Sequence, residues 1–580
     1  MHSRIAVAVG IVFVSLLPAP GQTVGPEGTS KGSSFTEKWV FISHNFANEK
    51  NCDEVIAVLD RAAKAGYNGM AVTDCKFFRW NEVKEEEYAA NLARVRRAAR
   101  DRNIKIYAFC CSQHTDLLSN DVNLAEGQPV VGAPFLARGG KLVPIDDDLQ
   151  IVNGSFEEVD NGRPKGWKVN GGNVAVDTAV QSQGRSSVRV KAATQLSQKI
   201  KLVPNRYYRL KMRIKSEEIE PAYQFNVYLS SSDNTRLLCY KPFGIAKTQD
   251  WKEHSWEFNT MDVPEMMITF GIWGEYPGTV WVDEMTIEPG ALVNLIRRDG
   301  CPFKMTSADG KTVYVEGKDF EGARDPLLGR ANNILGVYDY WHRPPVMTLP
   351  AGSRIREGQK VLVSYAHAVT IYGWSTFPCL NEPAIWPLLE KHLAWVHKLL
   401  KPDGYILSHD EIRHYGWDAS CRKVGKEPAE LLAENIHRCV ALVHKEDPGK
   451  PIYIWNDMID PNMNAAKTGY YYFVNGGPGP WYGSWKGLDK DLIILNWNHF
   501  PNEKRKRSLR FFEQLGHKQI LAGYYDQSPK MMTPWLQEAA GVKGVIGVMY
   551  TTWVRRFDDL DEFIKTVERF AQGTIEHRRD

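Results

Sequence analysis

The sequence predicts an α/β chain: a (β/α)8 TIM barrel interrupted after its third strand by a β-sandwich of jelly-roll type and a small β extension. Three observations carry this reading. Near both ends of the 580 residues, apolar runs of strand length alternate with amphipathic helical stretches, a rhythm that implies a parallel sheet. Between about residues 150 and 290 that rhythm gives way to period-two segments separated by polar turns, as in an antiparallel sandwich. The strands flanking this interruption number three and five, and eight parallel units close a barrel.

The elements follow in order. VFISHNF (40–46) reads as the first strand and DEVIAVLDRAAKAGY (53–67) as a helix closed by Gly66. GMAVTD (69–74), the helix EEYAANLARVRRAARDRN (86–103) and the strand IKIYAFCC (104–111) complete the first part of the barrel, residues 36–118. A Gly/Pro/Asp-rich stretch at about 119–149 reads as a linker. SSVRVKA, YYRLKMRIKS, AYQFNVYLS, HSWEFNT and TVWVDEMTIE then supply strands of a sandwich at 150–290. KTVYVEGKDFEG and SRIREGQKVLVSYAHAV have no helix between them and form the small β extension at 291–372. The barrel resumes over 373–575. Its strands are GYILSHDE, PIYIWND (451–457), LIILNWN (492–498), QILAGYYD (519–526) and VIGVMYTTW (545–553). Helices read at 385–401, at 428–447 from Pro428, and in RKRSLRFFEQLGH, TPWLQEAAGV and LDEFIKTVERFAQG. The charged run 505–510 in the first of these reads as a solvated face.

Composition narrows the function. Hydrophobic content of 43% and charged content of 24% are those of a globular protein. A formal net charge of +3 gives no electrostatic case for nucleic acid or an anionic membrane. Residues 1–21 read as a signal peptide, with Arg4 ahead of an apolar run from Ile5 to Leu17 and cleavage near Gly21. No later segment has the ~18 consecutive apolar residues of a membrane span, so export to the periplasm or the exterior is expected. The nine cysteines match no zinc spacing, and His44, Asp74 and His114 lack any ligand-pair spacing, so neither a metal nor another cofactor is expected.

In a barrel of this kind the site forms where strand C-termini meet the following loops. The strand ends offer His44 and Asn45, then Asp74, then Gln113, His114 and Asp116. Next come His409, Asp410 and Glu411, followed by Trp455, Asn456 and Asp457. The last three strands bring Asn496, Trp497 and Asn498, then Tyr524, Tyr525 and Asp526, and finally Tyr550 and Trp553. Acids, amides and aromatics converge without a Lys/Arg cluster. That suits a neutral polyol, with flat rings for its apolar faces, and not a phosphate. Asp457 and Asp526 also suit helix capping.

The pair Asp410–Glu411 is the sharpest signal. Neighbouring strand residues point to opposite faces, so two adjacent acids share a pocket only where the backbone turns. Cleavage of a glycosidic bond needs a protonated carboxyl beside the leaving oxygen, and an ionised Asp410 would keep Glu411 protonated.

SHDEIRHYGW, with WNDM (455–458), GYYDQ (523–527) and MYTTW (549–553), resembles the strand ends of glycoside hydrolase family 20 and related β-N-acetylhexosaminidases. The resemblance implies substrate-assisted retention on β-linked GlcNAc or GalNAc in an oligosaccharide or glycoconjugate. Asp410 would orient the acetamido N–H, Glu411 would be acid and base, and Tyr525 or Tyr524 would bond the acetamido carbonyl. Trp455, Trp497 and Trp553 would wall the pocket. The chain departs from the family in carrying Ser408 and His409 where two glycines are usual, and in lacking an Arg in FISHNF. Residues 150–290 resemble jelly-roll carbohydrate-binding modules through NGSFE, Gly166–Trp167 and VWVDEMTIE. Two alternatives stand beside the acetamido mechanism: a retaining glycosidase with Asp526 as nucleophile, and a non-catalytic glycan-binding protein.

Overall fold

The computed structural model describes residues 35–146, 149–329, 339–500 and 503–572. The expected signal peptide lies outside the described residues. Among the described residues, no helix is long and apolar enough to cross a membrane.

Eight short strands close into a barrel in chain order: β1 Glu37–Ser43, β2 Gly69–Thr73, β3 Lys105–Cys110, β4 Gly404–Leu407, β5 Ile452–Trp455, β6 Ile493–Asn496, β7 Gln519–Leu521 and β8 Val545–Tyr550. Every neighbouring pair is parallel, including β8 back onto β1. They are the eight runs expected from the sequence. Most stop short of the polar residues quoted with them, which sit on loops, although Asn496 ends β6 and Tyr550 ends β8.

The helices are α1 Glu49–Ala65, α2 Glu85–Asp101, α3 Ile385–Leu400, α4 Pro428–Glu446, α5 Glu503–Gln514, α6 Met532–Ala539 and α7 Leu560–Ala571. Local chemistry sets their ends. The Asn48 side chain accepts from the Lys50 N–H to start α1, and Gly66 ends it in the left-handed region at φ 94°. A reciprocal Glu427–Glu430 capping box precedes Pro428 at the first position of α4. Between β5 and β6 there are 3-10 turns at Asp457–Ile459 and Ser484–Gly487 in place of an α-helix. The Gly- and Pro-rich run between them disfavours helix. In α5 the expectation of a solvated charged face fails at Arg505. That residue is buried, with its guanidinium 4.5 Å over Trp535 and 3.1 Å from Glu538.

Alternation divides each strand between two cores. Trp39, Phe41, Tyr107, Phe109, Tyr453 and Trp455 belong to the cluster that fills the barrel. Val40, Ile42, Val72 and Ile106 pack outward against the helices. Inside, Trp39 stacks on Tyr107 at 3.8 Å and meets Tyr453 edge-on at 4.8 Å. A Cβ on Gly69 would stand 2.3 Å from Trp39 Cδ1, so only glycine leaves room for that indole.

The insertion is anchored by a sheet that the sequence reading missed. Residues assigned to a linker form the strands Gln128–Arg138 and Lys141–Pro144. The first pairs antiparallel with Lys360–His367 of the β extension. Pro129, Gly132 and Pro134 mask its alternation in sequence. Gly132 takes φ 62° opposite a bulge between Val363 and Tyr365, and its N–H donates to Ser364 Oγ. The two long strands bring both ends of the insert together beside the barrel.

Beyond this stalk lies a two-sheet antiparallel sandwich. One sheet has the order Gln249–Asn259, Tyr207–Glu217, Thr279–Pro289, Ser187–Val190, Val174–Asp177. The other has Phe225–Ser231, Glu265–Ile272, Gln195–Lys201, Lys168–Asn170. The motif residues Phe156 and Trp167 are core, their rings 5.6 Å apart, with Phe270 5.3 Å from Trp167. Asn153 ties its turn by accepting from the Glu158 N–H and donating to the Glu158 and Lys165 carbonyls.

Trp39→Ala should cost about 3–5 kcal/mol of stability, since it opens a cavity under a closed ring of strands. Denaturant unfolding at constant m-value is the check; a loss below about 1 kcal/mol would mean the stack does not support the barrel.

Candidate functional site

The sequence around β4 sets the site. Past Leu407, alternation turns His409 outward, where its Nε2 lies 2.9 Å from Asn435 Oδ1 on α4, and turns Asp410 inward. Continued alternation would send Glu411 away from the mouth. Instead Glu411 takes φ 46°, a left-handed conformation uncommon for a residue with a side chain. Its N–H donates to Asp457 Oδ2 at 2.9 Å, and its Oε1 lies 2.7 Å from Arg413. This turn brings two consecutive acids to the same side, both beside Asp457.

Asp410 Oδ1 lies 3.3 Å from His114 Nε2 on the β3 loop. Burial acts to raise the Asp410 carboxyl, but the charge and hydrogen bond of His114 outweigh it and hold the group below the ordinary carboxylate range. Burial likewise acts to lower His114, and Asp410 more than offsets that, so the imidazole is raised. Each group favours the charged form of the other.

Asp457 follows Trp455 on the inward parity of β5 and is fully buried. It accepts from the Glu411 N–H, from Asn464 Nδ2 at 2.8 Å and from Trp497 Nε1 at 3.2 Å. Burial first, then the charge of Asp410, push its carboxyl up to about 8 against those donors. This corrects the sequence reading. The carboxyl raised beside Asp410 is that of Asp457, and Glu411 has a guanidinium beside it.

That guanidinium was not singled out from the sequence, although Arg413 lies inside the quoted motif. It stands 5.6, 5.3 and 5.2 Å over the rings of Tyr372, Trp374 and Tyr472. Tyr372 and Trp374 lie just past the β extension, and Tyr472 belongs to the aromatic GYYYF run between β5 and β6. That density of exposed-loop aromatics was the available signal. The loops are tied by parallel pairing of His414–Tyr415 with Phe473–Val474. Tyr240 of the sandwich packs on Tyr472 at 4.5 Å and Phe473 at 5.1 Å.

The other predicted residues divide by parity. Trp455 stays inside, 5.8 Å from Phe109. Trp553 lies 4.7 Å from Phe41 at the open end and is half exposed. Tyr524 is 41% exposed, whereas Tyr525 is fully buried. Asp526 Oδ2 accepts from the Trp553 and Val554 N–H groups, so it ties two loops instead of capping a helix.

The outward set is removed from the mouth. The Tyr525 hydroxyl donates to Met532 Sδ, and its ring packs on Tyr550 and Phe563, which excludes the expected contact with a bound sugar. Tyr550 donates to the Arg556 carbonyl. Asp74 accepts from the Phe46 and Lys76 N–H groups and the Tyr88 hydroxyl. Asn456 and Asn496 both donate to Ser508 Oγ on α5. His44 is buried, its imidazole pushed down to about 4 by burial and then by Arg555. These are structural groups, as is His409.

On the sandwich, Tyr228 is 41% exposed and meets Trp273 edge-on at 5.0 Å. Across the same sheet face lie Thr269, Ser197 and Lys168 in register, with Asn170 bonded to Gln195 in the next row.

Residues 149–271 match the family Carbohydrate binding domain, CBM_4_9, and form a carbohydrate-binding module. No curated protein matches the chain. Solved structures similar to this region include TmCBM61 in complex with beta-1,4-galactotriose, at 20% identity over 24% of this chain and 97% of that one, TM-score 0.19. A CBM4 structure is 19% identical over 24% and 99%, TM-score 0.19. The CBM22-1 xylan-binding domain from Paenibacillus barcinonensis Xyn10C is 17% identical over 26% and 97%, TM-score 0.19.

Asp457 carries a pH signature. Between the ordinary 3.8 and about 8 only the folded state holds its proton, so unfolding releases it and stability falls as pH rises through that window. Asp457→Asn should flatten this slope in denaturant midpoints measured across pH. An unchanged slope would show that Asp457 is ionised in the folded protein.

Proposed function

We propose that the chain is an exported, glycan-active protein whose barrel, of the (β/α)8 kind, removes β-linked 2-acetamido sugars from a glycan held by the inserted module. The observation that carries this is the left-handed turn at Glu411, which directs Asp410 and Glu411 together into an aromatic mouth. A solvated strand end has no use for such strain.

In this reading the ionised Asp410 orients the acetamido N–H and steadies positive charge at the anomeric carbon. The acetamido oxygen attacks that carbon to give an oxazoline while Glu411 passes a proton to the leaving oxygen. Glu411 then takes a proton from the water that opens the ring. Trp497 and Trp553 offer apolar faces to the sugar, with Trp455 buried beneath them, and the exposed Tyr524 takes the carbonyl contact. Proton delivery requires the Arg413–Glu411 contact to open and Glu411 to take up a proton from solvent, after which the substrate's leaving oxygen takes Arg413's place.

That same contact favours a second reading, a non-catalytic glycan-binding protein. A guanidinium 2.7 Å from Glu411 occupies the position a proton donor needs, and the recognised domain is one that binds carbohydrate. Turnover of paired aryl GlcNAc, GalNAc, glucoside and galactoside substrates separates the two. Cleavage of the 2-acetamido pair, blocked by thiazoline inhibitors, is expected; binding without turnover across the panel would establish the second reading.

Glu411→Gln should lose about 10²–10⁴-fold in kcat, least for aryl leaving groups that need no proton. Equal losses for all leaving groups would remove it from the acid role. Asp410→Asn should harm 2-acetamido substrates selectively. For the module, Tyr228→Ala should weaken retention on a bound polysaccharide about 2–10-fold in affinity electrophoresis. Full retention would move the glycan to another face.

A further inference from the structure

Two cysteines with no recognisable spacing meet behind the β4 loop. Cys379 precedes α3, and Cys421 lies 42 residues later in a helical turn at Ala419–Arg422, yet their Sγ atoms are 3.5 Å apart. Two carboxylates close on them. Asp418 Oδ1 is 3.4 Å from Cys379 Sγ, and Glu126 Oε2 is 3.5 Å from Cys421 Sγ. All four residues are buried, and their four donor atoms lie within 4.8 Å of one another.

The outer bonds orient these atoms inward. Glu126 Oε1 accepts from the Trp417 and Asp418 N–H groups. Asp418 Oδ2 is occupied by Arg298 and the Gly127 N–H. Asn381 Nδ2 donates to Cys421 Sγ at 3.4 Å, and the Cys421 N–H donates to Asp418 Oδ1 at 3.1 Å. Two sulfurs and one oxygen of each carboxylate are thus left around a common centre. A tetrahedral ion with bonds of about 2.3 Å to sulfur and about 2.1 Å to oxygen has ligand–ligand edges of roughly 3.4–3.8 Å. Three of the six edges, at 3.4–3.5 Å, fit that figure, and the other three are within 4.8 Å.

We propose that Glu126, Cys379, Asp418 and Cys421 form a closed, structural site for a divalent ion of the zinc type. Two thiolates select a borderline-soft ion over magnesium or calcium, and four protein ligands leave no open position for catalysis. Binding exchanges one M²⁺ for the two thiol protons, which leave to solvent, so the net charge of the buried cluster is unchanged. The ion would clamp the start of the insert at Glu126, its return at Cys379 and the loop that carries Asp410 and Glu411. The site is separate from the barrel mouth and does not depend on the function proposed above.

The test uses the full chain purified with Zn(II), then dialysed, with metal content per chain by mass spectrometry and free thiols counted in denaturant. One retained zinc is expected. Exchange with Co(II) should give a thiolate-to-cobalt charge-transfer band and strong tetrahedral d–d absorption. Cys379→Ser and Cys421→Ser should lose the bound equivalent, and Cys301→Ser, a buried thiol outside the four ligands, should keep it. If the first two variants fail to fold, a phenanthroline-treated wild type should show a lowered Tm that Zn(II), and not Mg(II), restores. A wild type that takes up neither Zn(II) nor Co(II) stoichiometrically overturns the proposal, whether its thiols count as free or as a disulfide. Undiminished zinc in folded Cys379→Ser and Cys421→Ser does the same.

Discussion

A closed barrel of strands three to seven residues long leaves little freedom at its mouth. Alternate side chains go to the interior or to the helices, so each strand end supplies one inward residue and denies its neighbour. Asp410 and Glu411 are consecutive and both neighbour Asp457 because the backbone turns left-handed at Glu411. Such a conformation costs about 1–3 kcal/mol. The bond from the Glu411 N–H to Asp457 and the ion pair with Arg413 offset it. Around this one turn the site is organised: His114 is drawn to Asp410, Asp457 is buried beneath Glu411, and the aromatic loops close on Arg413.

The three carboxyls differ because their surroundings differ. Asp410 has an imidazole, Glu411 a guanidinium, and Asp457 only neutral N–H donors in a buried position. Burial first, then the charge of Asp410, raises the cost of ionising Asp457, so the proton is held there up to about pH 8. A mouth with three carboxyls in such different surroundings can hold a polar, uncharged ring by both accepting and donating hydrogen bonds.

The insert takes part in this arrangement. Its stalk pairs Gln128–Arg138 with Lys360–His367, which closes the long loop at its base and lets β3 and β4 remain neighbours in the barrel. Tyr240 of the sandwich then packs on Tyr472, one of the rings that cage Arg413. The carbohydrate-binding module is therefore joined to the mouth through a continuous run of packed aromatics.

All eight barrel strands, the β extension and the sandwich were legible from the sequence, because hydrophobic period is a local property and each run carries its own. The strand Gln128–Arg138 was not, since Pro129, Gly132 and Pro134 hide a pattern that only its partner completes. The chemical residues were legible as types and not as positions. Parity alone would have removed Asn456, Asn496 and Tyr525 in favour of Asp457, Trp497 and Tyr524, had the strand ends been known to the residue. Arg413 over Tyr472, Tyr240 behind Tyr472, and Cys379 beside Cys421 lay beyond any local reading. Contacts of that kind join segments tens to hundreds of residues apart, and they exist only once the barrel has closed and the insert has folded back upon it.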